Sequence, residues 1–263
     1  SVSGFSFSTA DEIAAKLDFP KNSPERIKAC LKHTLMNAAY SGGHTFLPVS
    51  VLLGNTRAML GIEADEVYDA LSSLLMEKAL IKESHDDFEV IYHKTFYDAE
   101  KTVAEIIKDL SSVYFSENKE ETERIIKEVE EETGITLADA QRHAVECTFT
   151  NSVMVITGGP GTGKTTIINT IIHAMKKKNM RIKLAAPTGR AAKRISEISG
   201  AEAKTIHRLL ECSAEGEDGL TAFAKNENNK LECDVLIVDE MSMVDILLMK
   251  SLLLALPKGI RLI

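Results

Sequence analysis

The sequence predicts a mixed α/β protein in two parts, a mainly helical first half and a second half built around parallel strands. Three observations carry that prediction. In the first half, apolar residues recur at helical spacing, as in Ile27, Leu31 and Leu35 and again in Val67, Leu71, Leu74 and Leu75. After residue 150 the pattern changes to short β-rich runs that alternate with helical stretches, the order that favours a parallel sheet. Between the first such run and its helix stands an unbroken Gly158-Gly159-Pro160-Gly161-Thr162-Gly163-Lys164-Thr165-Thr166.

In chain order, Thr9 and Glu12 offer a capping box for a short helix that stops before Pro20. Ser23 as N-cap and Pro24 at the first helical position start a second helix, which runs to about Tyr40 and ends at Gly42-Gly43. Pro48-Val49-Ser50 opens another, with Val51, Leu52, Thr56 and Met59 expected inward, until Gly61 breaks it. Residues 65–78 form the next helix. Leu80-Ile81-Lys82-Glu83 and Phe88-Glu89-Val90-Ile91-Tyr92 are then two strands joined at His85-Asp86-Asp87. Three helices and a hairpin predict a winged-helix-like module over about 24–92. Such modules often read duplex DNA through the third helix. Here that helix and its approach carry Glu63, Asp65, Glu66, Asp69 and Glu77 against Lys78, a surface that repels phosphate. A packing or protein-contact role is therefore preferred to a DNA reader.

A helix over 94–110 follows, with Val103, Ile106, Ile107 and Leu110 on one side. Residues 117–132 are strongly charged, with Glu120/Arg124, Glu123/Lys127 and Lys127/Glu131 at i,i+4 spacing, and read as a solvated helix closed by Gly134. The expected domains are 1–115, a charged connector over 116–135, and 136–263.

The second half holds the chemistry. The glycine stretch fits GxxxxGK[ST], and the run Val153-Met154-Val155-Ile156-Thr157 before it and a helix over 167–175 after it supply the strand–loop–helix context that pattern requires. The glycines let backbone N–H groups come close to a triphosphate. Lys164 would bring charge to the β/γ-phosphates and Thr165 a hydroxyl to Mg²⁺. A second strand over 181–186 feeds Pro187-Thr188-Gly189-Arg190-Ala191-Ala192-Lys193-Arg194, a turn at the carboxyl end of a parallel strand, where open α/β sheets place ligands. Thr188 and the Gly189 amide would hold a phosphate, with Arg190, Lys193 and Arg194 as local positive charge. The competing reading is an ordinary solvated helix start. A third strand over 233–238 delivers Asp239-Glu240: Asp239 would hold Mg²⁺ through water, and Glu240 would orient and polarise an attacking water. Gln141, in a helix over 137–145, has an acceptor and a donor to offer an adenine edge, although a helical glutamine alone is usually only solvated. Thr205-Ile206-His207-Arg208 begins a further helical piece, and 212–231 reads as an exposed, patternless insertion.

The 31 basic and 39 acidic residues give a formal charge of −8, which argues against coating nucleic acid by bulk charge and leaves a local channel open. No apolar run spans a bilayer, and Ser1-Val2-Ser3-Gly4-Phe5 lacks signal-peptide regions, so a cytoplasmic protein without a membrane partner is expected. Cys30, Cys147, Cys212 and Cys233 are too scattered for a zinc site or a disulfide framework. Arg261-Leu262-Ile263 reads as the start of another strand, which predicts a C-terminally truncated domain.

Together these motifs resemble the RecD-like branch of the superfamily 1 DNA helicases, in particular its RecD2-type members, relatives of the exodeoxyribonuclease V alpha subunit. The resemblance covers essentially the whole chain. Residues 137–145 are similar to that family's adenine-reading glutamine motif, 158–166 to motif I, 186–194 to motif Ia, 205–210 to the DNA-contact segment that follows, and Val238-Asp239-Glu240 with 241–245 to motif II. Residues 9–17, 23–38 and 44–53 resemble its N-terminal region. The resemblance implies that the second half is an incomplete P-loop RecA-like domain using ATP and Mg²⁺. It implies 5'-to-3' movement on single-stranded DNA and unwinding at ss/ds junctions, in DNA repair and recombination. Gln141 and residues 158–166 would contact nucleotide, Lys164, Asp239 and Glu240 would be catalytic, and Thr165 and Asp239 would hold the metal. Pro187, Thr188, Gly189, Arg190, Lys193 and His207 would meet DNA.

The family's motif III, second RecA-like domain and arginine finger do not follow within the sequence, so this polypeptide alone is expected to bind nucleotide without unwinding. Two other readings stand beside this one. A P-loop ATPase of a loader or repair class would keep Lys164, Thr165, Asp239 and Glu240 without translocation. A non-enzymatic module would use residues 1–115 to bind repair or recombination proteins.

Overall fold

A computed structural model describes residues 7–263 apart from 18, 21, 86, 87, 160 and 216–220. The chain divides between residues 102 and 103 into two compact units, each with apolar core of its own.

In the first unit α1 (Phe7–Lys16) precedes α2 (Pro24–Gly42). Thr9 lies inside α1 rather than at its cap, because the helix is already under way at Phe7, and Asp11 is paired with Arg26 of α2 (2.8 Å). Ser23 does precede α2, yet its hydroxyl donates to Glu25 (3.0 Å) and makes no side-chain cap. β1 (Phe46–Pro48) leads straight into α3 (Val49–Leu60). The inward face of α3 is Leu52, Leu53, Thr56 and Leu60, while Val51 and Met59 are exposed, so the expected face is turned by part of a helical step. Leu53 and Leu60, seven apart, set that face together with Leu52 and Thr56. α4 (Ala64–Met76) buries Val67, Ala70, Leu71 and Leu74, and packs on α2 and α3.

β2 (Leu80–His85) and β3 (Phe88–His93) form the expected antiparallel pair; the turn expected between them falls on Asp86 and Asp87, outside the described residues. β1 adds to the far side of β3, giving the order β1-β3-β2. That third strand has only three residues, too few for alternation to show. α5 (Lys94–Ser111) buries Phe96 and Ala99 in its first part, and beyond the unit boundary its Val103, Ile106, Ile107 and Leu110 pack on the second unit's core.

In the second unit α6 (Lys119–Thr133), α7 (Asp139–Thr150) and α8 (Lys164–Lys177) pack on one another. The stretch expected as a solvated connector is thus part of this unit. Ile125, Ile126 and Val129 of α6 are buried, and Lys177 and Lys178 of α8 reach Glu132 (2.6 Å) and Glu117 (2.8 Å). Three apolar residues in a 15-residue helix leave its average strongly polar, which conceals a narrow buried stripe.

β4 (Ile182–Ala186), α9 (Gly189–Ser199), β5 (Ala203–Thr205) and α10 (Ile206–Leu209) follow. β6 (Cys212–Glu215) and β7 (Thr221–Phe223) pair antiparallel within the stretch expected to be patternless. β8 (Val235–Val238), α11 (Ile246–Leu254) and β9 (Arg261–Leu262) complete the unit. The sheet order is β5-β4-β8-β9, with every pair parallel. This is a mixed α/β fold with a helix-rich first unit and a parallel sheet in the second.

The run 153–157, expected as a buried core strand, is not a regular strand. Val153 bridges Leu262, the Met154 N–H donates to Leu262 O (2.9 Å), and Val155 is 83 % exposed. Among the described residues no named strand pairs with its outer side, so the ladder is one-sided. β9 itself is fastened by Arg261, only 5 % exposed, which donates to Thr148 O, Phe149 O and the Glu117 carboxylate (3.1 Å each) and lies over the Phe115 ring. A guanidinium with that many acceptors is tolerated in a core.

None of the four cysteines is in a disulfide, and burial pushes the Cys30 and Cys233 thiols up to about 11. Among the described residues no cluster of three His, Cys, Asp or Glu side chains is arranged to hold a metal, and no helix is long and apolar enough to cross a membrane.

Candidate functional site

The phosphate-loop candidate begins just past Met154, where the chain leaves β9, and ends in α8. Pro160 lies outside the described residues. Gly161 and Gly163 have φ of 77° and 80°, the left-handed region that glycine enters without steric cost. Gly163 is also the residue from which α8 springs, so its conformation decides where the first-turn amides of that helix point. A Cβ at Gly163 would lie 2.3 Å from Gln141 Nε2, a separation no side chain meets without displacing its neighbour.

Gln141 is engaged at both ends of its amide. Its Oε1 accepts from the Ala138 N–H (3.1 Å), and its Nε2 donates to Thr162 O (3.2 Å). The residue singled out as an adenine reader therefore also braces the glycine loop from α7. The Thr162 hydroxyl donates to Gly159 O (2.9 Å), and Lys164 Nζ turns back onto Gly158 O and Gly159 O (3.4 Å to the latter). The ammonium is held over its own loop, whose following helix offers first-turn amides that would share an anion with it.

At the second residue of α8, Thr165 lines a small cavity together with Asn169, Arg194, Ile195 and Asp239. Asp239 follows β8, and its N–H donates to Ala185 O (3.0 Å), which continues the β8 ladder with β4 to the edge of the sheet. Its Oδ1 accepts from the Glu240 N–H (3.0 Å). Glu240 has φ 56°, a left-handed conformation uncommon outside glycine, and a 3-10 turn over Met241–Met243 begins directly after it. Asp245 caps α11 by accepting from the Leu247 and Leu248 amides (2.9 Å each), so it serves the fold. Thr165 and Asp239, the two residues expected at the metal, thus face one cavity. A hydroxyl and a carboxylate there form an oxygen set that suits Mg²⁺, which keeps most of its waters and needs few protein ligands.

The candidate DNA residues leave neighbouring strands. Ala186 is in register with Thr205, so Pro187 through Arg190 and Thr205 through His207 emerge side by side from the carboxyl ends of β4 and β5. The Thr188 hydroxyl caps α9 by accepting from the Ala191 N–H (3.2 Å). Gly189, Arg190, Lys193 and His207 are exposed, Pro187 and Thr188 half-buried. Lys193 lies 3.7 Å from Glu197, and the His207 ring rests against Phe223 of β7. Nucleotide-side and DNA-side candidates therefore share the carboxyl edge of one parallel sheet, where such folds bind ligands.

Two features of the site escaped sequence reasoning. Arg194 was expected only as part of a basic cluster, yet its Nη1 lies 3.9 Å from Glu240 Oε1. Asn169 carries no sequence signal; its Nδ2 donates to Ile198 O (3.2 Å), while its Oδ1 is buried without a hydrogen-bond partner. Helical spacing relates residues within α8 or within α9, and it carries no signal for a contact from one element to another.

Comparison with known proteins gives concordant findings. Residues 141–263 match the AAA domain family, and residues 1–46 match the HHH domain of the ATP-dependent RecD2 DNA helicases. Over 99 % of its length the chain is 30 % identical to the ATP-dependent RecD2 DNA helicase of Deinococcus radiodurans, of which it covers 36 %. It is 42 % identical over 146 residues to the RecBCD enzyme subunit RecD of Buchnera aphidicola subsp. Schizaphis graminum, covering 48 % of the chain and 24 % of that protein. With the corresponding subunit of Haemophilus influenzae it shares 32 % identity over 210 residues, 67 % of the chain and 31 % of the relative. The chain spans about a quarter to a third of the length of these relatives.

Proposed function

Because this chain belongs by homology to the RecD2/RecD-like superfamily 1 helicases, a family of nucleotide-binding, ATP-hydrolysing motors, we propose that it carries the N-terminal region and first RecA-like domain of an ATP-dependent 5'-to-3' DNA helicase. The observation that carries the reading is the shared cavity of Thr165 and Asp239 at the start of α8, with Lys164 one residue before and Glu240 one residue after.

In this reading the triphosphate enters the glycine loop, and Lys164 exchanges the Gly158 and Gly159 carbonyls for β/γ-phosphate oxygens. The first-turn amides of α8 face the same phosphates. Thr165 and Asp239 hold Mg²⁺, which when bound offsets charge developing on the transferred phosphoryl group. Glu240, tethered by its backbone to Asp239, orients the attacking water and takes its proton. Gln141 keeps the loop in register through one Nε2 hydrogen and one Oε1 lone pair, which leaves the second of each for the base.

On the other side of β4, the Gly189 amide, Thr188, Arg190, Lys193 and His207 meet the single-stranded backbone, with Pro187 shaping the turn. Because both groups of residues hang from adjacent strand ends, closure around nucleotide and grip on DNA bear on the same short segments. Helices α2, α3 and α4 and the three-stranded sheet of the first unit are read as a winged-helix-like module. The exposed flank of α4, with Glu63, Asp65, Asp69 and Tyr68, supports contact with protein rather than with DNA. Such a protein works in the cytoplasm on ss/ds junctions of repair or recombination.

The test is strand displacement by the complete polypeptide that contains this sequence. Partial duplexes with a 5' tail should be unwound with Mg·ATP and those with a 3' tail should not. Equal unwinding of both, or of the 3'-tailed substrate alone, would remove the assigned polarity.

A further inference from the structure

Arg194 sits where the two halves of the site meet, and its role is not explained by either alone. It lies on α9, four residues after Arg190 and next to Lys193, which puts it on the helix face that carries the candidate DNA contacts. Its guanidinium nevertheless points across the sheet edge: Nη1 is 3.9 Å from Glu240 Oε1, and the side chain lines the cavity shared by Thr165 and Asp239. The two side chains remain 64 % and 43 % exposed. We propose that Arg194 is a positioning residue that holds the Glu240 carboxylate away from its water-activating place until a DNA phosphate on α9 draws the guanidinium off. The inference rests on the helicase reading and gives it a route by which DNA governs hydrolysis.

The physical argument is one of competing partners. An exposed ion pair at 3.9 Å is weak, being both partly hydrated and screened by salt. A DNA phosphate offers guanidinium a bidentate, charge-assisted partner that a single carboxylate oxygen at this distance does not match. Arg190 and Lys193 raise the local phosphate concentration beside it. The φ of 56° at Glu240 and the 3-10 turn after it set the direction in which its side chain leaves the backbone. Loss of the guanidinium changes what the carboxylate faces, while Lys164 and Asp239 keep their own bonds to the glycine loop and to the Glu240 N–H. The latch therefore acts on the rate of turnover.

The experiment measures Mg·ATP turnover of the complete polypeptide, with and without single-stranded DNA, for wild type, Arg194→Gln and Arg194→Lys. Lys164→Ala is the control that the turnover belongs to this site. Arg194→Gln should raise kcat without DNA by about two- to five-fold, the range open to an exposed ion pair. At saturating Mg·ATP that rise should lower the stimulation ratio, while Arg194→Lys restores part of the repression. Wild-type turnover without DNA should also rise with salt, and the Arg194→Gln rate should not. An unchanged ratio, or an equal fall in both rates, would overturn the latch while DNA-stimulated wild-type turnover left the helicase reading standing. Wild-type turnover indifferent to DNA would end both.

Discussion

At Gly163 two independent constraints meet, a φ of 80° and a Cβ position 2.3 Å from the Gln141 amide. Left-handed backbone costs a non-glycine residue roughly 1–2 kcal/mol, and the crowding adds to it. Gly163→Ala is therefore expected to weaken binding of a fluorescent ATP analogue by about tenfold or more. Gly163→Ala combined with Gln141→Ala should regain only the share due to crowding. Wild-type affinity in Gly163→Ala would mean that the loop is not the nucleotide site. His93 is a second residue with a readable consequence. Burial, with the nearby Lys32 charge, holds its pKa below the usual 6.5, and its Nδ1 accepts from the Thr95 N–H at the start of α5 (3.3 Å). The unfolded chain then takes up this proton first as pH falls, so stability rises with pH across that interval. Stability of the first unit should be fully present above 6.5 and decline as pH drops from there through the folded value. Urea midpoints between about pH 8 and about pH 5 should show this, and His93→Gln should flatten it. A parallel decline in the variant would assign the effect to other groups.

At the scale of elements, α6 shows why local pattern and tertiary role part company. Its charge spacing reads as a solvated helix, yet Ile126 and Val129 are fully buried and Lys177 ties the polar side to α8. Ile126→Ala should cost about 2–5 kcal/mol of second-unit stability, as a core truncation does. Lys127→Ala, on the exposed face, should stay within about 0.5 kcal/mol. Equal effects in denaturant melts would return α6 to the role of a connector. The parts of the fold legible in sequence were those with several apolar residues at a fixed period: α2, α4, β2, β3, β4 and β8. β1 is too short for a period, and the inward face of α3 depends on which of two overlapping apolar sets meets α2 and α4. The run 153–157 has the composition of a core strand, but only Val153 and Met154 bond to β9, at Leu262, which is too short a contact for a regular ladder. The site's individual residues were legible because each sits at a glycine, a strand end or a helix start. The Arg194–Glu240 contact was not, since it joins residues 46 positions apart across the sheet.

At the scale of the molecule, two units with separate cores carry different kinds of surface. The first is helix-rich with an acidic flank on α4. The second gathers Lys164, Thr165, Asp239, Glu240 and the exposed α9 face on one edge of a parallel sheet. A net charge of −8 is compatible with the proposed nucleic-acid role because the cations that matter to it are few and local. The central claim is that this edge couples ATP chemistry to single-stranded DNA, and the most direct measurement is Mg·ATP turnover by the complete polypeptide with and without single-stranded DNA, paired with Lys164→Ala. The account predicts turnover that DNA stimulates strongly and that Lys164→Ala abolishes under both conditions. Turnover that ignores DNA, or that survives loss of Lys164, would contradict it.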